Sequence, residues 1–357
     1  MNAPLSVLPG MPLHKDIGGP AQPLLNANGL VKHFPLPRKG FRSPRRAVRA
    51  VDGVDFSIMK GETLGVVGES GCGKSTTARL LMQLIKPDQG ELVFDGLTVD
   101  SFELPLREFR RQTQMVFQDS YSSLNPRLTI EDSVAFGPSV HGVPMAEAVA
   151  RARDLLDRVG LEAARFAGRY PHELSGGQRQ RVNIARALAL EPRLVILDEA
   201  VSALDKSVES QVLNLLLDLK EAYSLTYLFI SHDLNVVQFI SDRVMVMYLG
   251  QVVEIGPVQE VFERPRHPYT RALLRSIPSM DPGVRTEQAP LSGDPPNPID
   301  PPPGCRFHPR CPKAQAVCES KAPAMTALAP GHAVRCLMHE AASGYPKWHI
   351  DVEEAHS

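Results

Sequence analysis

Gly68-Glu69-Ser70-Gly71-Cys72-Gly73-Lys74-Ser75 is the stretch that decides the fold of this chain. It matches G-x-x-x-x-G-K-[ST], a pattern whose glycines let the backbone curl so that successive N–H groups point at phosphate oxygens. The apolar residues Leu64–Val67 before it are typical of a buried strand, and the residues after it favour a helix. A strand, a glycine-rich turn and a helix N-terminus together predict a phosphate-binding loop.

Each residue type in the loop has an expected task. Lys74 should reach the β- and γ-phosphates of a nucleotide, and the hydroxyl of Ser75 should bind Mg²⁺. Thr76 belongs to the same helix N-terminus and is also expected to contact the phosphates. Cys72 has no evident catalytic partner, so we interpret it as a small filler in a loop that acts through its backbone.

A second acidic site is predicted where an apolar strand ends in two carboxylates, at Asp198 and Glu199. Asp198 is suited to hold Mg²⁺, directly or through water. Glu199 is suited to orient and deprotonate an attacking water.

Short apolar runs alternate with helical segments from about residue 50 to 277, which predicts an α/β fold with a mainly parallel sheet. The predicted strands are Leu64–Val67, Gln114–Phe117, Leu194–Leu197, Tyr227–Ile230 and Val244–Tyr248. The predicted helices include Ser75–Ile85, Ala146–Val159, Gly177–Leu190 and Ser207–Tyr223.

Composition limits the class of protein. The 357 residues suggest roughly two domains. The 39 basic and 40 acidic side chains leave a net charge of −1, which disfavours a nucleic-acid partner. There is no uncharged apolar run of bilayer length, and no apolar core follows the first cation, Lys15, so neither a spanning segment nor a secretory leader is expected.

The two ends of the sequence differ from the middle. Residues 1–25 have no periodicity and are expected to form a mobile arm. The stretch 32–49 carries seven Lys/Arg and no acid, which fits either a solvated loop or a contact with phosphates. Nine prolines in 281–310 predict a semi-rigid linker.

Four of the five cysteines, Cys305, Cys311, Cys318 and Cys336, crowd into the last sixth of the chain. Four thiolates in a short segment suit tetrahedral zinc or an iron–sulfur cluster. The spacing alone does not choose between them, and unligated thiols remain a third alternative.

Leu174-Ser175-Gly176-Gly177-Gln178 lies between the phosphate loop and Asp198. Phosphate loop, LSGGQ and LVILDE in this order resemble the nucleotide-binding subunit of ATP-binding cassette (ABC) transporters. The resemblance implies a P-loop NTPase fold, with a RecA-like core and a helical subdomain. We place the ATPase domain at 26–280, its helical subdomain at about 119–185, and a Pro/Cys-rich, metal-binding tail at 281–357.

The resemblance also implies roles for single residues. Gln118 matches the Q-loop glutamine, touching Mg²⁺ or the water, and His232 matches the switch histidine that contacts the γ-phosphate. Asp205 matches the D-loop aspartate, which bridges to a second subunit. Phe34 is the expected aromatic beneath adenine, with Phe41 as the rival. Ser175, Gly176, Gly177 and Gln178 open a helix that faces the ATP of a neighbouring subunit.

The segments around Arg264–Leu274 and Gly304–Cys311 resemble the C-terminal region of oligopeptide and dipeptide importer ATPases. That resemblance implies a [4Fe–4S] cluster, with Zn²⁺ as the alternative, and import of peptides driven by ATP hydrolysis at the cytoplasmic side of the inner membrane. The expected partners are a second, related ATPase, two permeases and an extracytoplasmic binding protein. Nickel or another small solute is the alternative cargo, and a soluble ATPase acting on DNA or ribosomes is a remote alternative.

Overall fold

The structure is a computed structural model that describes residues 22–37, 46–276, 293–294 and 296–346. Its strands are β1 (Pro23–Pro35), β2 (Ala47–Met59), β3 (Thr63–Val67), β4 (Gln89–Phe94), β5 (Leu97–Thr98), β6 (Thr113–Val116), β7 (Leu194–Asp198), β8 (Thr226–Ile230), β9 (Arg243–Tyr248), β10 (Gln251–Pro257), β11 (Thr326–Ala329) and β12 (His332–Val334).

The helices alternate with these strands over most of the chain. They are α1 (Lys74–Leu81), α2 (Leu106–Gln112), α3 (Ile130–Val140), α4 (Met145–Arg158), α5 (Ala163–Phe166), α6 (Gly176–Leu188), α7 (Lys206–Tyr223), α8 (Leu234–Ile240), α9 (Val258–Glu263), α10 (Pro268–Arg275) and α11 (Ala316–Ser320), with 3₁₀ turns at Pro171–Glu173 and His308–Arg310.

Two sheets form the frame. Within the described part of the chain, the larger sheet has the order β11-β12-β10-β9-β3-β8-β7-β6 and is parallel from β9 to β6. The smaller, antiparallel sheet has the order β2-β1-β4-β5. Because parallel strands end at the same edge, the loops after β3, β6, β7 and β8 meet there.

The larger sheet is covered on both faces. Leu194 and Ile196 of β7 belong to the core shared with the smaller sheet, whereas Val195 and Leu197 belong to the core shared with the helices. Successive side chains of a strand point to opposite faces, so a strand buried on both sides has an uninterrupted apolar run. That is why these strands were recognisable in the sequence.

The sequence-based strands and helices are confirmed, with small shifts at their ends. The largest shift is in α1, which ends at Leu81 although apolar residues continue to Ile85. Gln83 adopts a left-handed backbone with φ 53, which cannot continue a right-handed helix.

The prediction of an arm over 1–25 is wrong for its last residues. β1 begins at Pro23, and Leu24 and Leu25 are 1% and 0% exposed in the core. Their pairing partners lie in β2 and β4, far away in sequence, so local composition did not reveal the strand. Residues 1–21 lie outside the described residues.

Residues 296–346 pack onto the core instead of extending from it as a tail. β12 pairs with β10, so the hairpin β11–β12 extends the larger sheet. The backbone N–H of Arg49 donates to the carbonyl of Pro298 at 3.0 Å, and Arg46 forms an ion pair with Asp300. Residues 281–292 and 295 of the proline-rich stretch, and 38–45 of the basic stretch, lie outside the described residues.

The segment between β6 and β7 supplies a helical layer. Helices α3, α4 and α6 pack on one another through fully buried side chains such as Ile130, Val134, Leu156 and Val182. Among the described residues, no helix combines the length and apolar character needed to cross a membrane.

Candidate nucleotide site and cysteine cavity

The phosphate loop lies between β3 and α1, and glycine is required at both of its ends. Gly68 has φ +149, and a Cβ there would lie 2.3 Å from the carbonyl oxygen of Met247. Gly73 has φ +110, and its Cβ would lie 2.2 Å from the carbonyl oxygen of Ala50. Only a residue without a side chain allows the loop to curl this close to β2 and β9.

Lys74 lies inside the loop, 6% exposed. Its Nζ donates to the carbonyl oxygens of Gly68 at 2.7 Å and Glu69 at 3.1 Å. These loop carbonyls hold the ammonium group at the mouth of the loop, where it is available to a phosphate. Cys72 is 3% exposed, and burial raises the pKa of its thiol, as expected of a filler rather than a nucleophile.

Ser75 and Asp198 come together although 123 residues separate them. The hydroxyl of Ser75 donates to Oδ1 of Asp198 at 3.0 Å. Burial raises the pKa of Asp198, and the hydrogen bond from Ser75 opposes that rise. A hydroxyl and a carboxylate are the oxygen ligands that Mg²⁺ prefers, so this donor set fits the ion.

Gln118, Glu199 and His232 converge at the adjoining strand ends. The side-chain nitrogen of Gln118 donates to Oε2 of Glu199 at 2.7 Å. Nδ1 of His232 lies 3.7 Å from the same oxygen. Two residues chosen from separate motifs, Gln118 and His232, therefore lie beside one carboxylate oxygen of Glu199.

The backbone of Glu199 is held in an unusual conformation. Its φ is 49, in the left-handed region that non-glycine residues rarely adopt. The N–H of Glu199 donates to the carbonyl of Ile230 at 2.9 Å, and the hydroxyl of Ser202 donates to the carbonyl of Glu199 at 2.9 Å. These two bonds keep the conformation, and with it the direction of the carboxylate.

Ser175 is the N-cap of α6, which begins at Gly176. Its hydroxyl accepts from the N–H of Gln178, whose side-chain oxygen accepts from the N–H of Ser175 at 3.0 Å. A Cβ on Gly177 would lie 2.5 Å from Val208 of α7. The signature therefore forms a rigid helix N-terminus, with unpaired N–H groups suited to an anion.

Two other predicted nucleotide contacts lie at the edges of the site. Asp205 directly precedes α7, and its side chain makes no capping hydrogen bond there. Phe34 is 39% exposed near the end of β1, with Nζ of Lys32 5.8 Å from its ring centroid. Its exposed ring is open to stacking. The rival Phe41 lies outside the described residues.

The four clustered cysteines line one small cavity, together with Phe307, His308 and Tyr345 among others. The backbone N–H of Cys305 donates to the carbonyl of Cys318 at 2.8 Å. Burial raises the pKa of the Cys311 thiol to about 11 and that of Cys336 to about 12. The four cysteine side chains thus converge on one cavity.

The predicted metal-binding tail is not confirmed. Within the described ranges, no group of three or more His, Cys, Asp or Glu side chains is placed to hold a metal ion. Four thiolates on one zinc would lie about 3.8 Å apart, because each Zn–S bond is about 2.3 Å in a tetrahedron. The four cysteines therefore lie together, but their arrangement does not establish that a metal binds there.

Sequence reasoning missed two residues that touch the phosphate loop from the C-terminal part of the chain. The hydroxyl of Tyr269 accepts from the backbone N–H of Glu69 at 2.9 Å, and Arg310 forms an ion pair with the Glu69 side chain. Both residues stand inside segments quoted for the family resemblance. Nothing in the sequence linked them to Glu69, which is 200 residues from Tyr269 and 241 from Arg310.

Comparison with known families and structures agrees with this site. The model for ABC transporters matches residues 51–202, and the model for the C-terminal region of oligopeptide/dipeptide transporters matches 253–318. The structure of cbiO1 from Clostridium perfringens, part of the ABC transporter complex cbiONQ, is 29% identical with a TM-score of 0.58 over 68% of this chain and 91% of that one. A dimeric ATP-binding cassette in a post-hydrolysis state, bound to ADP and Pi, is 30% identical with a TM-score of 0.56 over 66% and 98%.

The fold and site define an ABC-type ATPase, which confirms the predicted α/β nucleotide-binding fold. The chain is 49% identical to the oligopeptide transport ATP-binding protein AppF of Bacillus subtilis, over 88% of this chain and 97% of that one. It is 47% identical to the dipeptide transport ATP-binding protein DppF of Haemophilus influenzae, over 88% and 96%. The chain therefore belongs to the ABC transporter family, among the ATP-binding proteins with an oligopeptide/dipeptide transporter C-terminal region.

Proposed function

We propose that this chain is the ATP-hydrolysing subunit of a bacterial importer for di- and oligopeptides. One observation carries the proposal: a complete set of ABC motifs and a peptide-transporter C-terminal region occur in one chain. Relatives at 47–49% identity are named for oligopeptide and dipeptide transport.

The phosphate loop and α1 hold the triphosphate of ATP. Backbone N–H groups of the loop and the helix N-terminus donate to phosphate oxygens, and Lys74 neutralises the β- and γ-phosphates. Ser75 and Asp198 would hold Mg²⁺, which would neutralise part of the phosphate charge. The 3.0 Å contact between these two side chains supports their shared role.

Glu199 accepts a proton from the attacking water. A carboxylate 2.7 Å from an amide donor and 3.7 Å from a histidine nitrogen is oriented on two sides. Gln118 holds the carboxylate and His232 reaches the γ-phosphate, so both keep the water in line with the bond that breaks.

The helix N-terminus at Ser175–Gly177 acts on the ATP of a second subunit. Two subunits then enclose two ATP molecules head to tail, and Asp205 bridges between them. Loss of the γ-phosphate removes a group that both subunits contact, which shifts the dimer toward its open form. The dimeric cassette with ADP and Pi, at 30% identity, supports this arrangement.

The ATPase pair docks on two permease subunits at the cytoplasmic face of the inner membrane, fed by an extracytoplasmic binding protein. A second, related ATPase completes the pair. The similarity to ATP-binding proteins of oligopeptide and dipeptide transport supports these partners.

The residues Cys305, Cys311, Cys318 and Cys336 of the cysteine cavity would hold a [4Fe–4S] cluster. Four cysteines that line one cavity supply the number of thiolates that such a cluster requires. The thiols would lose their protons on loading, so the raised pKa values of Cys311 and Cys336 should make loading more favourable at higher pH.

Uptake measured in a strain that lacks this gene tests the function. The strain receives the wild-type chain, the Lys74→Ala variant or an empty vector, and uptake of labelled di- and tripeptides is compared with uptake of labelled nickel. Peptide uptake restored by the wild type alone supports the proposal. Nickel uptake restored without peptide uptake would make nickel the cargo.

The partners are tested separately by gentle purification of the tagged chain from native membranes, followed by mass spectrometry. Recovery of two permeases and a second ATPase is expected. Recovery with ribosomes or DNA-repair proteins would contradict the importer and leave only the ATPase chemistry in place.

A further inference from the structure

Arg310 forms a two-point ion pair with the phosphate loop. Its Nη1 lies 2.8 Å from Oε2 of Glu69, and its Nη2 lies 3.0 Å from Oε1. The Arg310 side chain is 5% exposed and the Glu69 side chain 22%. Parallel hydrogen bonds between a guanidinium and a carboxylate fix both distance and orientation, and solvent screens this pair only in part.

Arg310 is itself held in place by aromatic side chains. Its Nη1 lies 3.4 Å from the hydroxyl of Tyr248, and its guanidinium carbon lies 6.0 Å from the centroid of that ring. Phe307, three residues earlier, packs edge-on against Tyr248 at 5.3 Å between ring centroids. The guanidinium is therefore positioned before any nucleotide arrives.

Tyr269 adds a second contact to the same loop residue. Its buried hydroxyl accepts from the backbone N–H of Glu69 at 2.9 Å, and its ring packs 4.6 Å from that of Tyr248. Tyr269 and Arg310 both fall within 253–318, the part matched by the peptide-transporter C-terminal region and not by the ABC transporter model.

Glu69 connects these contacts to the residues that meet phosphate. Its carbonyl oxygen accepts from Nζ of Lys74 at 3.1 Å and from the N–H of Cys72 at 3.2 Å. Its carboxylate brings a negative charge into a loop that must receive a polyphosphate, and Arg310 neutralises that charge. A loop ordered in advance also loses less conformational entropy on binding.

We propose that Arg310, together with Tyr269, is a positioning residue of the nucleotide site. Through Glu69 it orders the phosphate loop and neutralises its carboxylate, so the C-terminal region sets the affinity for ATP. The inference rests on the proposed ATPase function and adds that a region outside the ABC core determines nucleotide binding.

Equilibrium binding of a fluorescent ATP analogue with Mg²⁺, and steady-state hydrolysis by the full chain, test this. Arg310→Gln is expected to raise the Kd and KM at least fivefold with kcat within twofold of wild type. Arg310→Lys should recover part of the affinity, because a single ammonium restores the charge without the two-point geometry. Lys321→Gln is the matched control, because it removes another ion pair of the same region, that with Glu340. Its Kd, KM and kcat are expected within twofold of wild type.

Tyr269→Phe removes only a hydroxyl and keeps the packing, so it remains informative if Arg310→Gln does not fold. It is expected to raise the Kd at least twofold. Arg310 directly precedes Cys311, so iron content is measured for every variant. Wild-type affinity in folded Arg310→Gln, or in Tyr269→Phe if Arg310→Gln does not fold, would overturn the proposal.

A double-mutant cycle separates positioning from a general loss of structure. In a Glu69→Gln background, the further change Arg310→Gln should alter the Kd less than twofold, because the partner carboxylate is already gone. If Arg310→Gln raised the Kd by the same factor with and without Glu69→Gln, Arg310 would act through another residue, and the proposal would be overturned. Failure of the wild-type chain to bind ATP at all would instead contradict the proposed function.

Discussion

The side-chain amide of Gln118 donates to Oε2 of Glu199 at 2.7 Å, across 81 residues of sequence. The two residues follow β6 and β7, which are adjacent parallel strands, and His232 follows β8, the next strand in the sheet. The contact therefore exists because three consecutive strands of the sheet end at one edge.

The carboxylate of Glu199 gives the most direct test of the chemistry. Glu199→Gln keeps the shape and the hydrogen bond from Gln118 but cannot accept a proton, so ATP binding should persist while turnover falls at least tenfold. Binding of labelled ATP and release of phosphate measure the two effects.

Glu191→Gln is the matched control for that experiment. Glu191 stands before the opposite end of β7, also has a positive φ, and is about as exposed, at 16% against 19% for the side chains. Turnover within twofold of wild type is expected there. Near-normal hydrolysis by Glu199→Gln would remove Glu199 from the role of base.

Substitutions at two glycines of the phosphate loop distinguish the stability cost of a steric clash from the cost of backbone strain alone. Gly73→Ala should destabilise the fold by about 2–4 kcal/mol and abolish ATP binding, because its Cβ would lie 2.2 Å from the carbonyl oxygen of Ala50. Gly71 also has a positive φ, +78, but nothing lies within 4 Å of its Cβ position. Gly71→Ala should cost only about 1 kcal/mol in thermal or urea unfolding. Equal destabilisation by the two substitutions would mean that the close approach of Gly73 to Ala50 does not affect stability.

Cysteine replacements test the cluster proposed for the cavity. Protein purified without oxygen should be brown and contain acid-labile sulfide, and Cys318→Ser should lose both iron and sulfide. Cys72→Ser is the control, because Cys72 is equally buried but lies in the phosphate loop away from the cavity. One zinc per chain without sulfide, or colourless protein free of metal, would exclude the cluster.

Glu254 is 0% exposed and anchors the C-terminal region to the core. It accepts from the N–H groups of Arg266 and His267 and from Nε2 of His332, at 2.8–2.9 Å. Glu254→Gln should lower the free energy of unfolding by about 2–3 kcal/mol, because the amide cannot accept from all three donors. Glu260→Gln, at a partly exposed position of α9, should change the free energy of unfolding by less than about 0.5 kcal/mol.

The carboxylate of Glu254 should also make the stability of the fold depend on pH. Burial would raise the pKa of Glu254, but the hydrogen bonds, first that from His332, outweigh it and hold the pKa below its usual 4.5. The stabilisation is therefore complete above about pH 4.5 and is lost as the pH falls further. Unfolding midpoints measured from pH 6 to pH 3.5 should converge for wild type and Glu254→Gln. A difference between the two midpoints that stays constant over this pH range would contradict the role assigned to Glu254.

Local patterns were enough to find much of the fold and the nucleotide site. Strands buried on both faces have continuous apolar runs, so β7 and β8 were recognisable without any partner. The loop Gly68–Ser75, the capped helix at Ser175 and the acids after β7 are short-range features as well. Each depends on residues that are neighbours in the chain.

Contacts between distant segments were not predictable in the same way. The strand at Pro23 and the hairpin β11–β12 require partners far away in sequence, and neither has a local signal that distinguishes it from a loop.

By itself, the sequence determined the ABC motifs, the parallel α/β core and the candidate residues for binding and hydrolysis, since these depend on spacing along the chain. Only the tertiary structure decided that Gln118 meets Glu199, that four cysteines share a cavity, and that Arg310 holds Glu69. The physical reason is that such contacts arise from the order of strands in the sheet and from packing, which local spacing does not specify.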